Sequence, residues 1–144
     1  MEVQAEGFGR WRLSGFYGYP GWNRCRESWQ LMCSLLDKST LPWIILGDFN
    51  DLLYASEKES RNSQPQWLLN DFRNALQFCG LFDLDYVGTK FTWTNRQKGK
   101  ITRERLDKAV GSMAWSHMFS QAILYVMEAT KSDHSLYFFH CLIL

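Results

Sequence analysis

The residues whose types and spacing could do chemistry are few, and each follows or interrupts an apolar run. Asp48 and Asn50 come after Ile44-Ile45-Leu46, across Gly47; Asp107 stands in RERLDKAV; Asp133 and His134 are neighbours in Lys131-Ser132-Asp133-His134. Carboxylates are natural ligands for a hard divalent cation such as Mg2+. Asn50 offers an amide donor for a phosphate oxygen or an attacking water. His134 could donate to a phosphoryl oxygen once an adjacent acid fixes its orientation and raises its pKa. An Asp–His pair plus a second acid that holds a metal or a water is a working set for phosphodiester hydrolysis. Each fragment alone has a plainer reading. Asp-x-Asn after a strand serves as a turn device, Ser-Asp-His as a loop, and Arg-Leu-Asp as a solvated strand face. Occurring together and in this order, they point to one site.

Such residues meet only if strands deliver them to a common rim. The pattern predicts a strand over 11–17, with Trp11, Leu13 and Tyr17 on one face, and a turn-rich GYPGWN after it. A helix follows in RESWQLMCSLLD, carrying Trp29, Met32, Cys33 and Leu36 at helical spacing. Residues 43–46 form a short, fully apolar strand, and 51–64 read as a polar loop. Ser63 with Gln66, and Pro65 in the first turn, signal a helix start. That helix holds Leu68, Leu69, Phe72, Ala75, Leu76 and Cys79, with Gly80 as its C-terminal cap. Residues 91–94 and 101–110 read as a hairpin around a basic, glycine-containing loop, with Asp107 on its second strand. A last pair, QAILYVM and SLYFFHCLIL, flanks 131–134. Helices alternate with strands and strands then dominate, which gives an α/β layered domain.

Composition agrees. The chain's 144 residues, 46% hydrophobic and 16% aromatic, suit one domain with a large core and argue against disorder. A net charge of +1 leaves nucleic-acid binding to a local patch. Such a patch exists at 96–108, where Arg96, Lys98, Lys100, Arg103, Arg105 and Lys108 cluster. It reads either as a DNA-backbone contact or as an exposed hairpin kept soluble by its charges. On the alternation of a single strand, Arg103, Arg105 and Asp107 share a face. The four cysteines form no C-x-x-C pair and read as reduced thiols in helices and core. No apolar leader or membrane-length run occurs, so the chain reads as intracellular. The absence of a Tyr-x-Asp-Asp pair excludes a reverse transcriptase.

GDFN at 47–50, RLDKA at 105–109 and SDHS at 132–135 resemble the later motifs of the endonuclease/exonuclease/phosphatase superfamily. SGFYGYP, RCRESWQLM, FTWTN and RERLDKAV resemble its LINE-type (non-LTR) retroelement endonuclease branch. The similarity runs from about Phe8 to Ser135. It implies a DNase I-like four-layer α/β sandwich of two mainly antiparallel sheets flanked by helices. It also implies Mg2+-dependent nicking of DNA, no small-molecule cofactor, no membrane partner, and a compartment that could be the nucleus.

Carried over by residue, the resemblance implies that Asp48 activates or positions the water and Asn50 helps bind the scissile phosphate. It implies that Asp107 orients His134, that His134 stabilises charge on the phosphate, and that Asp133 contributes to the metal site. Tyr17 matches a tyrosine near the phosphate, against the reading of an aromatic in a core strand. Arg96, Lys98, Lys100, Arg103 and Arg105 would face DNA. The resemblance also implies an opening strand with an asparagine and another with a metal-binding glutamate. Only sixteen residues precede Tyr17, and neither Glu2 nor Glu6 follows an apolar strand of that kind. The expectation is therefore an N-terminally truncated domain over 8–144 behind a short segment 1–7, catalytically impaired and prone to aggregate through an uncovered apolar face. A non-enzymatic remnant with weak DNA binding, or a phosphatase of the same fold, are the alternatives.

Overall fold

The computed structural model describes residues 1–7, 9–127 and 136–141. Strands β1 (Glu2–Ala5) and β2 (Gly9–Tyr17) pair antiparallel, and helix α1 (Cys25–Leu36) then carries the chain to β3 (Trp43–Asp48). Because a helix makes that crossover, β3 lies parallel to β2, the arrangement expected of a βαβ unit. Trp43, Ile44 and Ile45 are all buried, as an apolar run covered on both faces requires. Helix α2 (Gln66–Cys79) ends where Gly80 turns left-handed at φ 65°, the cap expected of it.

The start of α2 differs from expectation. Pro65 is the N-cap and no side chain caps the helix, so Ser63 and Gln66 form no capping box. The loop reading of 51–64 is corrected too. A 3-10 turn (Ala55–Glu57) and strand β4 (Lys58–Glu59) lie within it, and Asp51, Leu52, Leu53 and Glu57 are buried. Two three-residue strands, β5 (Leu81–Asp83) and β6 (Tyr86–Gly88), were too short to show a period.

The larger correction concerns 101–110. The hairpin is β7 (Trp93–Gln97) with β8 (Lys100–Glu104), turned at Lys98-Gly99. Arg105 and Leu106 then break the strand, and Asp107 opens a separate strand, β9 (Asp107–Ser112), in another sheet. Asp107 is therefore not on the hairpin. The common face of Arg103, Arg105 and Asp107 dissolves with the break. Helix α3 (Met113–Met118) follows, capped by the Ser112 side chain, then β10 (Ala122–Met127) and its antiparallel partner β11 (Leu136–Cys141).

Among the described residues the strands form three sheets: β1-β2-β3-β9-β5, β11-β10-β6 and β4-β8-β7. On one face of the five-stranded sheet, Trp29 and Met32 of α1 and Phe72 and Leu76 of α2 cover Phe16, Trp43, Ile45 and Val110. On the other, Ala109 and Leu46 meet Leu124 and Val126 of β10. Beyond that contact, a groove of about 280 Å³ opens between Trp11, Leu13, Ile44, Leu46, Trp115 and Phe119. Cys25, Cys33 and Cys79 are free thiols, with Cys79 Sγ 3.3 Å from Cys33 Sγ where α1 meets α2. No helix among the described residues is long and apolar enough to cross a membrane.

Candidate functional site

The register of the large sheet assembles the site. Asp48 is paired with Tyr17 across the β2–β3 ladder and with Asp107 across the β3–β9 ladder. In-register neighbours share a face and sit about 5 Å apart, so the three positions span about 10 Å in one row. Tyr17 is 70% exposed, which removes the reading of a core aromatic; Asp107 is 6% exposed. The next residues inward on β3 and β9, Leu46 and Ala109, are those that meet β10. The row thus lies at the rim of the inter-sheet face.

Gly47 explains how Asp48 reaches that rim. Its φ of 155° and the close approach of β2 leave no room for a side chain. A Cβ would stand 2.8 Å from the Phe16 carbonyl carbon and closer still to its oxygen. Gly47→Ala is expected to destabilise the fold by about 2 kcal/mol or more, because backbone and not a pliable side chain must yield. Urea unfolding measures this, and an unchanged midpoint contradicts it.

Asn50 adopts φ 52°, a left-handed conformation that asparagine tolerates. Its backbone N–H donates to Asp48 Oδ1 at 2.9 Å, and its Nδ2 donates to the Gly18 carbonyl at 2.8 Å. The turn device and the site are therefore the same structure. The amide also ties the loop after β2 to the end of β3, with the Gly18 N–H donating to the Asp48 carbonyl at 2.8 Å. Asp133 and His134 lie outside the described residues.

Behind the row is a buried charge network that the sequence did not disclose. Arg105 is 4% exposed, and its guanidinium donates to both carboxylate oxygens of Asp83 and to Glu57 Oε2 at 2.9 Å. Lys108 is 0% exposed; its Nζ donates to the Arg105 carbonyl and, at 3.3 Å, to the Asp51 carbonyl, and lies 3.4 Å from Glu57 Oε2. Burial alone would raise the Glu57 pKa, but Lys108 and Arg105 outweigh it and hold the carboxyl below its usual range. Burial would likewise weaken the Arg105 charge, and Asp83 and Glu57 reverse that. The backbones flanking Asp107 and Asn50 are thereby fastened to each other. Arg105 is committed inside the protein and does not face solvent with Arg103. The only sequence signal for this was Leu52-Leu53 beside Asp51 in an otherwise polar stretch.

Asp51 is the strained member. It is 2% exposed, Oδ1 accepts from the Leu52 N–H at 2.8 Å and from Gln64 Nε2, and Oδ2 has no hydrogen-bond partner among the described residues. Burial raises its pKa from 3.8 to about 6, against the opposing effects of the Leu52 N–H, Gln64 and Lys108. A pKa raised on folding contributes stability that is complete below about pH 4 and lost as pH rises through 6. Asp51→Asn keeps the Oδ1 acceptor and removes the charge. It is expected to exceed the parent in stability above pH 6, by up to about 3 kcal/mol, and to lose the advantage near pH 4. Denaturant midpoints at both pH values check this; a difference independent of pH contradicts it.

The basic residues divide into two groups. Arg103 pairs with Glu59, and Arg105 with Glu57 and Asp83. Arg96, Lys98 and Lys100 are exposed and have no ion pair among the described residues. Likewise among the described residues, no group of three potential metal ligands comes together.

The endonuclease domain of TRAS1, a telomere-specific non-LTR retrotransposon, has a similar structure, with a TM-score of 0.58 at 18% identity over 90% of this chain and 55% of that one. The fold is that of a DNase I-like endonuclease domain. This chain spans about half the length of the TRAS1 domain it matches. No protein-family model and no curated protein sequence matches it. The α/β sandwich and the retroelement-endonuclease likeness expected from GDFN, RLDKA and SDHS thus stand on structure. Tyr17, Asp48 and Asp107 occupy adjacent strands of that endonuclease fold, with Asn50 bonded to Asp48.

Proposed function

We propose that this chain is a portion of a DNA-nicking endonuclease domain that hydrolyses phosphodiester bonds with Mg2+, and that its turnover is slow. The observation that supports the reading is the row of Tyr17, Asp48 and Asp107 across three neighbouring strands. In it, Asp48 accepts a proton from, or orients, the attacking water, and the Tyr17 hydroxyl and the Asn50 amide lie beside the phosphate. Asp107 orients His134, which donates to the phosphoryl oxygen, and Asp133 adds a metal ligand. Oxygen donors suit Mg2+, which commonly takes one or two carboxylates and fills its shell with water and substrate phosphate. Mg2+, when bound, polarises a phosphoryl oxygen and lowers the pKa of water. With Asp133 as the one carboxylate assigned to the metal, the site carries less ligand charge than one with two or more acids, and slow turnover follows from that.

A second reading, a non-catalytic DNA binder, is favoured by the unpaired cations of the hairpin tip. Supercoiled plasmid distinguishes the two. The hydrolytic reading expects slow, Mg2+-dependent conversion to the open-circular form, abolished by EDTA. A folded sample that shifts plasmid mobility without ever nicking it would leave only the binding reading.

A further inference from the structure

A buried cysteine behaves as a small apolar residue until a second thiol stands within bonding reach, and α1 and α2 bring two together. Cys33 lies in the last turn of α1, and Cys79 is the last residue of α2. The two helices cover Phe16, Trp43, Ile45 and Val110, on the face of the large sheet turned away from β10. The Cys79 thiol donates to Cys33 Sγ at 3.3 Å, and both residues are free thiols. A disulfide holds its sulfurs at about 2.05 Å, so roughly 1.2 Å of approach separates this hydrogen bond from a covalent one. At Gly80, directly after Cys79, an added Cβ would meet nothing within 4 Å, so the end of α2 has open space for that adjustment. Cys25 is engaged elsewhere: its thiol is 4% exposed and donates to the Trp22 carbonyl at 3.3 Å.

We propose that Cys33 and Cys79 form a site of reversible disulfide modification, oxidised by a small-molecule disulfide of the glutathione class, and that the bond staples α1 to α2. Cys33 is half-buried and Cys79 is 6% exposed, so the reagent reaches Cys33 first. The Cys33 thiolate attacks one reagent sulfur, the reagent's S–S bond breaks, and one thiolate leaves a mixed disulfide behind. Cys79 then gives its proton to solvent, and its sulfur attacks Cys33 Sγ and expels the second reagent thiolate. The two departing thiolates take up the two protons that the cysteines lose, and two electrons pass from protein to reagent. Burial, and then the hydrogen bond to Cys33, push the Cys79 thiol up to about 12, so closure takes on the order of hours rather than seconds. The pair is suited to sustained oxidation and not to rapid catalytic exchange; in a reducing compartment it stays as two thiols. The partners stand 46 residues apart in sequence, and the loop they would close holds β3 with Asp48 and Asn50. A cross-link over that length removes freedom from the unfolded chain, so the bond stabilises the domain.

The test incubates the full chain with a mixture of reduced and oxidised glutathione, quenches by alkylation, and reads peptide masses and thermal unfolding. The expected product has lost two hydrogens and yields a cross-linked peptide pair joined at Cys33 and Cys79. Its thermal midpoint should stand about 5–10 °C above that of the reduced chain and return when dithiothreitol is added. Cys33→Ser, at the half-buried position, should fold with a midpoint near the reduced parent's and show neither the bond nor the shift. Cys79→Ala makes the same comparison from the other helix. None of these readouts involves DNA, so they stand whether or not plasmid is nicked. A folded chain that keeps both thiols, stops at a glutathione adduct on Cys33, or forms its bond through Cys25 or Cys141 overturns the proposal. So does a Cys33–Cys79 bond that lowers the midpoint, since the native fold would then not accommodate it.

Discussion

Asp48→Ala is expected to reduce plasmid nicking to the EDTA background, a loss on the order of 10² to 10³-fold or more. The substitution removes a carboxylate from the centre of the row, where it lies between Tyr17 and Asp107 in register. It also removes the acceptor of the Asn50 N–H, so the left-handed Asn50 loses the bond that holds it. Those two effects must be separated, because either could stop turnover. Asp48→Asn does so: it keeps an oxygen acceptor for Asn50 while discarding the charge. The expected result is an unfolding midpoint close to the parent's and nicking no better than in the alanine variant. Should Asp48→Asn nick as fast as the parent, the charge on Asp48 has no part in the reaction.

The second large effect is structural. Arg105→Ala is expected to cost about 3–5 kcal/mol, because it strands Asp83 and leaves the buried Glu57 with Lys108 as its one remaining cation among the described residues. For a chain of this size that lowers the thermal midpoint by roughly 10 °C or more. Arg105→Lys restores a charge but not the planar fork that reaches both carboxylates, and should recover only part of the loss. The damage should also spread to the row. The Arg105 N–H donates to the Glu57 carbonyl, and the Leu106 carbonyl accepts from Phe49 N–H, so this segment fixes where Asp107 begins. A calorimetric midpoint within two or three degrees of the parent's would show that the network carries little stability.

The contrast between Arg103 and Arg105 shows what the sequence could and could not disclose. ITRERLDKAV alternates as one strand does, and nothing in its spacing marks a stop at Arg105-Leu106. The stop is imposed by distant partners, Glu57, Asp83 and Phe49, which no local pattern contains. Lys108 was misread as surface charge for the same reason, since it lies opposite a carbonyl fifty-seven residues away. GDFN was legible because most of its parts are local, an apolar strand ending on a glycine and an Asp–Asn turn, although the β2 backbone that makes the glycine necessary is not. The cap at Gly80 was legible for the same reason. Ser63 resembled a capping residue, yet Pro65 occupies the cap position, and local chemistry alone could not order the two. Strands of three residues and the six-residue α3 lie below the length at which periodicity carries information.

The order in which the chain is synthesised has a bearing on the pairing of β3. β2 and α1 emerge just ahead of it, so one half of the row, Tyr17 with Asp48, can form early. Its other neighbour begins at Asp107, about sixty residues later. At roughly 5–20 residues per second of translation, β3 waits on the order of 3–12 s with an open hydrogen-bonding edge. During that interval Trp43, Ile44 and Ile45 form an apolar strand whose open edge is available to any other chain. Misfolding of this protein should therefore begin at β3 during synthesis, and slowing translation after α2 should lower the yield of native chain.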